Sequence, residues 1–297
     1  MTPVFPAADG YDVDSLIIAG GWPSNLSELF VRAKGPARRS EDIVAVSDDY
    51  VAVIDGMSSP LRGDGRPASG REFARAIGTA LTALPGDLDA RECVDLLTAA
   101  VGRITAAHAG PAGAVAAIYS VRRHQVWRIG DVHVRVGRHA FPAQKGIDDA
   151  LAAFRAAYNL ALLAGGASVA EIIETDPGLR AAFPLLEVQP ALANARSPLG
   201  YGVFDGTRVP SRFIEVFDVG ESDEVVLASD GYLAPDRSLR KAEDHLRHAL
   251  DTDPAALGAL AAMAKPLLPG AWSADDRSYV RLTSYRPETD SDESSLP

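Results

Sequence analysis

The sequence predicts an α+β fold in which antiparallel β-sheets carry layers of helices. Short β-branched apolar runs occur in blocks, and segments with apolar residues at helical spacing occur in other blocks, so the strict strand–helix alternation of a parallel sheet is missing. No fixed-period repeat and no long linker rich in glycine, serine or proline divides the 297 residues. We therefore expect a single domain over residues 1–286.

The first block is a predicted β-hairpin followed by two helices. Runs of β-branched residues at 43–46 and 50–54 are joined by a Ser-Asp-Asp sequence at 47–49, whose composition is typical of a turn. Apolar residues then recur at helical spacing over 67–84 and 88–109.

The middle of the chain is predicted to add strands and then a long helical region. Strand character returns in three runs between 114 and 136, and helical spacing extends over about 146–192. A Gly-Gly pair at 165–166 and an Asp-Pro-Gly sequence at 176–178 interrupt that region, so we expect several helices. Ser168 stands at the N-cap position of one of them. We interpret the region as a helical insert in the domain.

The last third of the chain mixes the two kinds of element. Strands are predicted at 213–217 and 224–228, helices at 239–250 and 254–267, and a final strand at 277–285.

Composition excludes several classes of protein. With 40 acidic and 29 basic residues the formal net charge is −11, which disfavours nucleic acid or an anionic membrane surface as a partner. Part of the acidic excess lies in residues 287–297, whose polar, non-periodic composition is typical of a disordered tail. The single cysteine, Cys93, excludes an internal disulfide and is expected to pack on a helix.

Composition also indicates where the protein works. No stretch reaches the roughly 20 apolar residues of a membrane span, and the start of the chain lacks the pattern of a secretory signal. The 29 basic residues include only four lysines, which together with the high alanine content indicates a GC-rich bacterial genome. We therefore expect a cytoplasmic, bacterial protein.

Acidic residues recur at the ends of apolar strands. Strands packed in one core bring their ends together, and converging carboxylates repel each other unless cations hold them. Clusters of oxygen donors select Mg²⁺ or Mn²⁺, and two such ions a few ångström apart can activate a water and neutralise a phosphate. The five acidic sites are Glu41-Asp42, Asp55-Gly56, Gly130-Asp131, Ser229-Asp230-Gly231 and Asp275-Asp276.

The order of these motifs, over about residues 40–282, resembles that of the metal-dependent protein phosphatases of type 2C, the PPM family. The resemblance implies a four-layer αββα sandwich, with two antiparallel β-sheets flanked by helices and a metal centre between the sheets. It also implies hydrolysis of phosphomonoesters, usually phosphoserine or phosphothreonine, by a metal-activated water. The matching residues are Glu41-Asp42, Asp55-Gly56-Met57, Gly130-Asp131, Ser229-Asp230-Gly231 and Asp275-Asp276-Arg277-Ser278.

The resemblance also implies which residues hold two Mg²⁺ or Mn²⁺ ions. Asp55 would bridge both ions, and the carbonyl of Gly56 would bind one of them. Asp230 and Asp275 would ligate the second ion.

Three further acids have implied roles around this pair of ions. Glu41 and Asp42 would hold metal-bound waters, which places them in the catalytic set together with Asp55. Asp131 would help to bind a weaker third ion. The histidine two positions after it, His133, is interpreted as a residue of a strand surface.

The chain departs from the family pattern at several positions. Ala37 stands where the family has its phosphate-binding arginine, so Arg38 or Arg39 is the predicted substitute, and Arg62 or Arg66 in the following glycine-rich loop is the less favoured alternative. Ser58 replaces the first glycine of a Gly-Gly pair, and Ala234 replaces an acid of the third-ion site.

These departures leave three functions open. The first is a serine/threonine phosphoprotein phosphatase. The second is a phosphatase of the same fold that acts on a phosphorylated small molecule in a biosynthetic pathway, because the loop at Ser58 and the helical insert change the surroundings of the site. The third is a catalytically silent pseudophosphatase that binds a partner or ligand without turnover.

Overall fold

A computed structural model describes residues 12–21, 25–36, 38–58, 69–105, 111–263 and 267–284. The strands are β1 (Leu16–Ile18), β2 (Leu26–Arg32), β3 (Ile43–Val46), β4 (Tyr50–Met57), β5 (Gly113–Ser120), β6 (Gln125–Ile129), β7 (His133–Val136), β8 (His139–Phe141), β9 (Glu215–Asp218), β10 (Glu224–Ala228) and β11 (Arg277–Thr283). The α-helices are α1 (Gly70–Leu81), α2 (Ala90–Thr105), α3 (Gly146–Ala164), α4 (Val169–Thr175), α5 (Pro177–Val188) and α6 (Leu239–Thr252).

The strands form two sheets. One has six strands in the order β1-β3-β4-β5-β6-β9, and the other has five in the order β2-β11-β10-β7-β8. Every pairing is antiparallel except that of β1 with β3, which is parallel. The parallel pair lies at one edge of the otherwise antiparallel six-stranded sheet.

Three apolar clusters show that the sheets and helices are stacked in four layers. The first cluster lies between the two sheets and draws side chains from both. The second joins the six-stranded sheet to α1 and α2, and the third joins the five-stranded sheet to α6. The predicted four-layer α+β sandwich is confirmed.

Strand β4 shows why its sequence is a continuous apolar run. Val51 and Val53 belong to the cluster between the sheets, whereas Ala52 and Ile54 belong to the cluster under the helices. Both faces are buried, so alternation between polar and apolar residues is absent. Because side chains alternate along a strand, Asp55 falls on the face of Val53, toward the other sheet.

Most predicted elements are present, including the hairpin of β3 and β4 and the two helices after it. Ser168 accepts a hydrogen bond from the backbone N–H of Glu171 at 3.2 Å, as expected of an N-cap. Cys93 is fully buried on α2, as predicted.

No described helix is both long and apolar enough to cross a membrane. The predicted acidic tail at 287–297 lies outside the described residues.

One predicted helix is wrong. Over the described part of 254–267 the structure has turns and a short 3₁₀ segment, Ala261–Met263. The carboxylate of Asp253 accepts hydrogen bonds from the backbone N–H groups of Leu257, Gly258 and Leu260 at 2.8–2.9 Å. An aspartate that captures several backbone donors offers the chain an alternative to the helix.

The helical region at 146–192 forms α3, α4 and α5, and it is fastened by a buried polar cluster. The guanidinium of Arg155 donates to the Asp176 carboxylate at 2.8 Å and to the carbonyls of Ala255 and Ala256 at 2.9 and 2.7 Å. Asn159 donates to the same carboxylate at 2.9 Å. We call Arg155, Asp176 and Asn159 the insert clamp.

Candidate metal centre

Acidic side chains from both sheets meet at one edge of the sandwich. Asp55 lies in β4 of the six-stranded sheet, whereas Asp230 and Asp275 lie beside the ends of β10 and β11 in the other sheet. Asp55 and Asp230 are hydrogen-bonded to each other, and Asp42 and Asp275 are close enough to repel the charge of Asp55. Asp42, Asp55, Asp230 and Asp275 therefore lie close together, as expected from the strand ends, whereas Asp131 lies beside Lys145.

Burial and mutual repulsion raise the pKa of two of these carboxyls, Asp55 and Asp42, in the absence of a cation. Burial is the largest cause of the raised pKa of Asp55, and the charges of Asp42, Asp230 and Asp275 raise it further. Burial and the charge of Asp276 raise the pKa of Asp42 to about 8. A cation that neutralises the neighbouring carboxylates would remove this repulsion and favour the ionised form of each carboxyl.

Asp42 is held in one orientation by hydroxyl groups. Its side chain is 1 % exposed, and its Oδ2 accepts a hydrogen bond from Ser278 Oγ at 2.8 Å. Ser229 also hydrogen-bonds to the Asp42 carboxylate. Sequence reasoning assigned no role to either serine, although both stand inside the quoted motifs.

Glu41 is positioned by Ser58. The Ser58 hydroxyl donates a hydrogen bond to Glu41 Oε1 and accepts one from the backbone N–H of Gly70 at 2.9 Å. Burial raises the pKa of Glu41, while the Ser58 hydrogen bond and the charge of Lys34 oppose that rise. Ser58 therefore connects the acid to the first residue of α1.

Asp276 fastens the loop before β11 to the segment that carries Glu41. Its Oδ1 accepts the backbone N–H of Lys34 at 2.7 Å, and its Oδ2 accepts that of Glu41 at 2.8 Å. Asp276 is 4 % exposed, whereas Glu41, Asp55, Asp230 and Asp275 are each partly exposed. The cluster is therefore open to solvent on one side.

Two glycines bring α1 against the end of β4. A Cβ on Gly56 would lie 2.5 Å from the carbonyl of Gly70, and a Cβ on Gly70 would lie 2.4 Å from the carbonyl carbon of Gly56. Only glycine allows such an approach of two backbones. The close contact fixes the carbonyl region of Gly56 beside the acidic cluster.

Asp131 lies beside a lysine, Lys145. Its carboxylate lies 3.8 Å from the ammonium of Lys145, which is 2.8 Å from Asp148 and 4.3 Å from the centre of the Tyr201 ring. The side chain of Lys145 is 7 % exposed, so this is a largely buried ion pair. A third ion at Asp131 would have to compete with that lysine.

The predicted phosphate-binding arginines are both exposed. Arg39 lies 3.5 Å from the Asp14 carboxylate, in a pocket of about 460 Å³ that is also lined by Arg71 and Arg75. Position 37, where the family has its arginine, lies outside the described residues.

The prediction for His133 is wrong. It is 4 % exposed, its Nε2 is 2.8 Å from the carbonyl of Tyr232, and its Nδ1 accepts the backbone N–H of Ala143 at 2.7 Å. Burial lowers its pKa. Both ring nitrogens are engaged with backbone, so His133 holds two loops together.

The donor set fits a hard divalent cation. Its members are carboxylates that repel one another, and Mg²⁺ and Mn²⁺ prefer such oxygen ligands. In the described part of the chain, no three His, Cys, Asp or Glu side chains already surround a common point that could hold a metal ion.

Comparisons place the chain beside known phosphatases. Similar solved structures include the PPM Ser-Thr phosphatase MsPP from Mycobacterium smegmatis, with 15% identity, a TM-score of 0.45, and coverage of 89% of this chain and 100% of that chain. Another is Stp1 from Staphylococcus aureus, with 12% identity, a TM-score of 0.47, and coverage of 91% and 100%. The phosphatase PstP/Ppp of Mycobacterium tuberculosis has 14% identity, a TM-score of 0.44, and coverage of 86% and 97%.

The chain is similar to these proteins along most of its length. All three are named as serine/threonine phosphatases, the first as a member of the PPM family. No protein-family model and no curated protein matches the sequence. At these identities and TM-scores the likeness carries no functional argument, so function is inferred from the side chains of the site.

Proposed function

We propose that the protein is a Mg²⁺- or Mn²⁺-dependent phosphomonoester hydrolase that acts on phosphoserine or phosphothreonine in proteins of the bacterial cytoplasm. The observation that carries the proposal is the meeting of Asp55, Asp230 and Asp275 from two sheets at a solvent-open edge, with a raised pKa at Asp55. A cluster of mutually repelling carboxyls lowers stability unless a cation or a proton neutralises it, and perturbed groups of this kind are typical of functional sites.

The proposed division of labour follows from the contacts of each side chain. Asp55, Asp230 and Asp275, with the carbonyl of Gly56, would hold two ions. When bound, such ions neutralise a substrate phosphate and lower the pKa of a water that attacks phosphorus. Asp131 is the proposed ligand of a weak third ion, in competition with Lys145.

Two acids would orient waters at the edge of this site. Asp42 is fixed by the hydroxyl of Ser278, and Glu41 is fixed by that of Ser58. A hydrogen-bond partner that fixes the orientation of such an acid also tunes the basicity of the water that the acid binds. The nucleophile is a water, so we expect no covalent phosphoenzyme.

Arg38 and Arg39 remain the proposed contacts for the substrate phosphate. Both are exposed, and Arg39 stands two residues before Glu41. A guanidinium binds phosphate through two parallel hydrogen bonds. Engagement of Arg39 by substrate would compete with its ion pair to Asp14, which is weak because both side chains are more than half exposed.

The proposal is tested by hydrolysis of p-nitrophenyl phosphate with Mn²⁺ and with EDTA. We expect activity only with metal, and a loss of at least about 100-fold in Asp55→Asn and Asp230→Asn. Asp149→Asn, an exposed carboxylate on α3, serves as the matched control and keeps full activity. Metal-independent hydrolysis, or activity that survives both substitutions, would overturn the proposal.

The substrate class is tested separately. Initial rates on phosphoserine and phosphothreonine peptides are compared with those on sugar and nucleoside phosphates under the same metal concentration. Faster turnover of the small molecules identifies a small-molecule phosphatase, and metal binding without turnover of any substrate identifies a pseudophosphatase.

A further inference from the structure

An acidic residue, Glu243, stands on the face of α6 that packs against the five-stranded sheet. It follows Ala242 and comes one helical turn before Leu246, and both of these belong to the apolar cluster between α6 and the sheet. Its side chain is only 23 % exposed. A buried ion pair contributes little more stability than well-packed apolar side chains would. Packing of α6 therefore does not by itself require an acid at this position.

The carboxylate of Glu243 joins two side chains that each follow a proposed metal ligand, Asp230 or Asp275, by two positions. Its Oε1 accepts hydrogen bonds from the hydroxyl of Tyr232 at 2.6 Å and from Nε of Arg277 at 2.7 Å. Its Oε2 accepts one from Nη2 of Arg277 at 3.0 Å, so the ion pair is bidentate. Tyr232 and Arg277 are 2 % and 3 % exposed, which shields these contacts from water.

Tyr232 fixes the turn that carries Asp230. Its backbone N–H donates to the carbonyl of Ser229 at 3.2 Å, which closes a turn with Asp230 in the second position. Its carbonyl lies 2.8 Å from Nε2 of His133. Because Glu243 holds the hydroxyl, Tyr232 is anchored through its backbone and through the end of its side chain. The backbone of Asp230 therefore has a defined position.

Arg277 fixes the loop that carries Asp275 in a similar way. Its Nη1 donates to Oγ of Ser273 at 2.8 Å, and this hydroxyl donates to the backbone carbonyl of Asp275 at 2.7 Å. The turn after β10 also touches this loop, because Gly231 packs so closely against the carbonyl of Asp276 that a Cβ there would collide with it. One acid on α6 is thus connected to both segments that carry the ligands.

We propose that Glu243 is a positioning residue for the candidate metal centre, which holds Asp230 and Asp275 at the spacing at which both carboxylates ligate the same ion. The inference rests on the proposed function, in which these two aspartates bind the second ion. Glu243 acts through Tyr232 and Arg277, the side chains that its hydrogen bonds reach. Loss of an outer partner of this kind typically lowers metal affinity or activity by about 10–100-fold.

Calorimetric titration of Mn²⁺ into metal-stripped protein tests this role. We expect Glu243→Gln, which loses the charge that holds Arg277, to bind Mn²⁺ about tenfold more weakly than wild type. Tyr232→Phe keeps the ring and changes no charge, and the loss of its hydrogen bond should weaken binding about threefold. Asp251→Asn removes an exposed acid from the same helix, so it is the matched control and changes the affinity less than about twofold.

Thermal unfolding with EDTA and with Mn²⁺ separates positioning from a role in stability alone. A residue that only stabilised α6 would lower the Tm of the metal-free protein in Glu243→Gln but leave the Mn²⁺-induced rise in Tm as in wild type. Positioning predicts a smaller rise, because the folded protein binds the ion more weakly.

Two results would overturn the positioning role and leave the proposed function intact. One is an affinity of Glu243→Gln within twofold of a wild type that binds Mn²⁺. The other is weaker binding in Glu243→Gln with none in Tyr232→Phe, which would reduce the effect to the lost charge. A wild-type protein that binds no Mn²⁺ overturns the proposed function, and this inference with it.

Discussion

The insert clamp and the acidic cluster are both buried polar groups, but they are built in opposite ways. In the clamp, Arg155 faces one carboxylate and two carbonyls, and Asn159 completes the set. In the acidic cluster, carboxyls face other carboxyls, and Asp55 is hydrogen-bonded to Asp230.

The difference separates a structural polar cluster from a functional one. The clamp is complete with its own donors and acceptors, so it needs no ligand. Among the contacts described, negative charge exceeds positive charge in the acidic cluster, and Lys34 offsets part of it at Asp275. A buried charge excess of this kind is stable only with a proton or a cation from outside, which is the property of a binding site.

The largest expected effect comes from breaking the clamp. Arg155→Met leaves Asp176 and two carbonyls without their donor in a buried place, so we expect the free energy of unfolding to fall by about 3–5 kcal/mol. Chemical denaturation in EDTA measures it. Arg180→Met, an exposed arginine on α5, is the control and changes little. A loss below about 1 kcal/mol would mean that the clamp does not fasten the insert.

A change of opposite sign is expected in the acidic cluster. Asp55→Asn replaces a carboxyl whose ionisation is opposed by burial and by its acidic neighbours, so the metal-free protein gains stability, by about 0.5–2 kcal/mol, while activity is lost. Thermal unfolding in EDTA measures the gain. A destabilised Asp55→Asn protein would show that the cluster is held together by its own contacts, as the clamp is.

The third prediction is a dependence of metal-free stability on pH. The pKa of Asp42 is about 8 in the folded protein against an ordinary value of 3.8, so between these pH values the folded state binds more protons than the unfolded state. Stability from this group is fully present below about pH 4 and is lost as pH rises toward 8, by at most about 1.4 kcal/mol per pH unit.

The difference in Tm between wild type and Asp42→Asn across pH 5–8.5, in EDTA, isolates this contribution. We expect wild type to lose stability with rising pH more steeply than the variant, and Mn²⁺ to flatten the wild-type curve. Parallel curves would show that Asp42 ionises freely in the folded state.

The fold and the acidic cluster were predictable because they follow from local patterns. A strand such as β4, buried on both faces, is a continuous apolar run. The acid at its end lies on one defined face of the sheet, because side chains alternate along a strand. The short edge strands β1 and β8 have three residues each, too few for a pattern to emerge. Strand β2 has seven residues, but its polar and apolar residues do not alternate strictly, so the sequence pattern does not predict a strand there.

Contacts between distant residues were not predictable. Nothing near Arg155 in the sequence shows that it reaches the carbonyls of Ala255 and Ala256, and Lys34 gives no sign of Asp275, 241 positions later. The turn at Asp253 was not predicted, because the spacing of apolar residues carries no information about a side chain that accepts hydrogen bonds from backbone N–H groups. His133 was misjudged because an end of β7 is covered by loops from elsewhere.

The contact between Gly56 and Gly70 also restricts how this sequence can evolve. Gly56 belongs to the proposed metal centre, so selection for activity would act on it directly. Gly70 is not among the proposed ligands of the metal centre, yet any side chain there collides with the backbone at Gly56. Mutational tolerance should therefore be as low at the first residue of α1 as at the centre itself, and a descendant that changes either glycine must first move the helix.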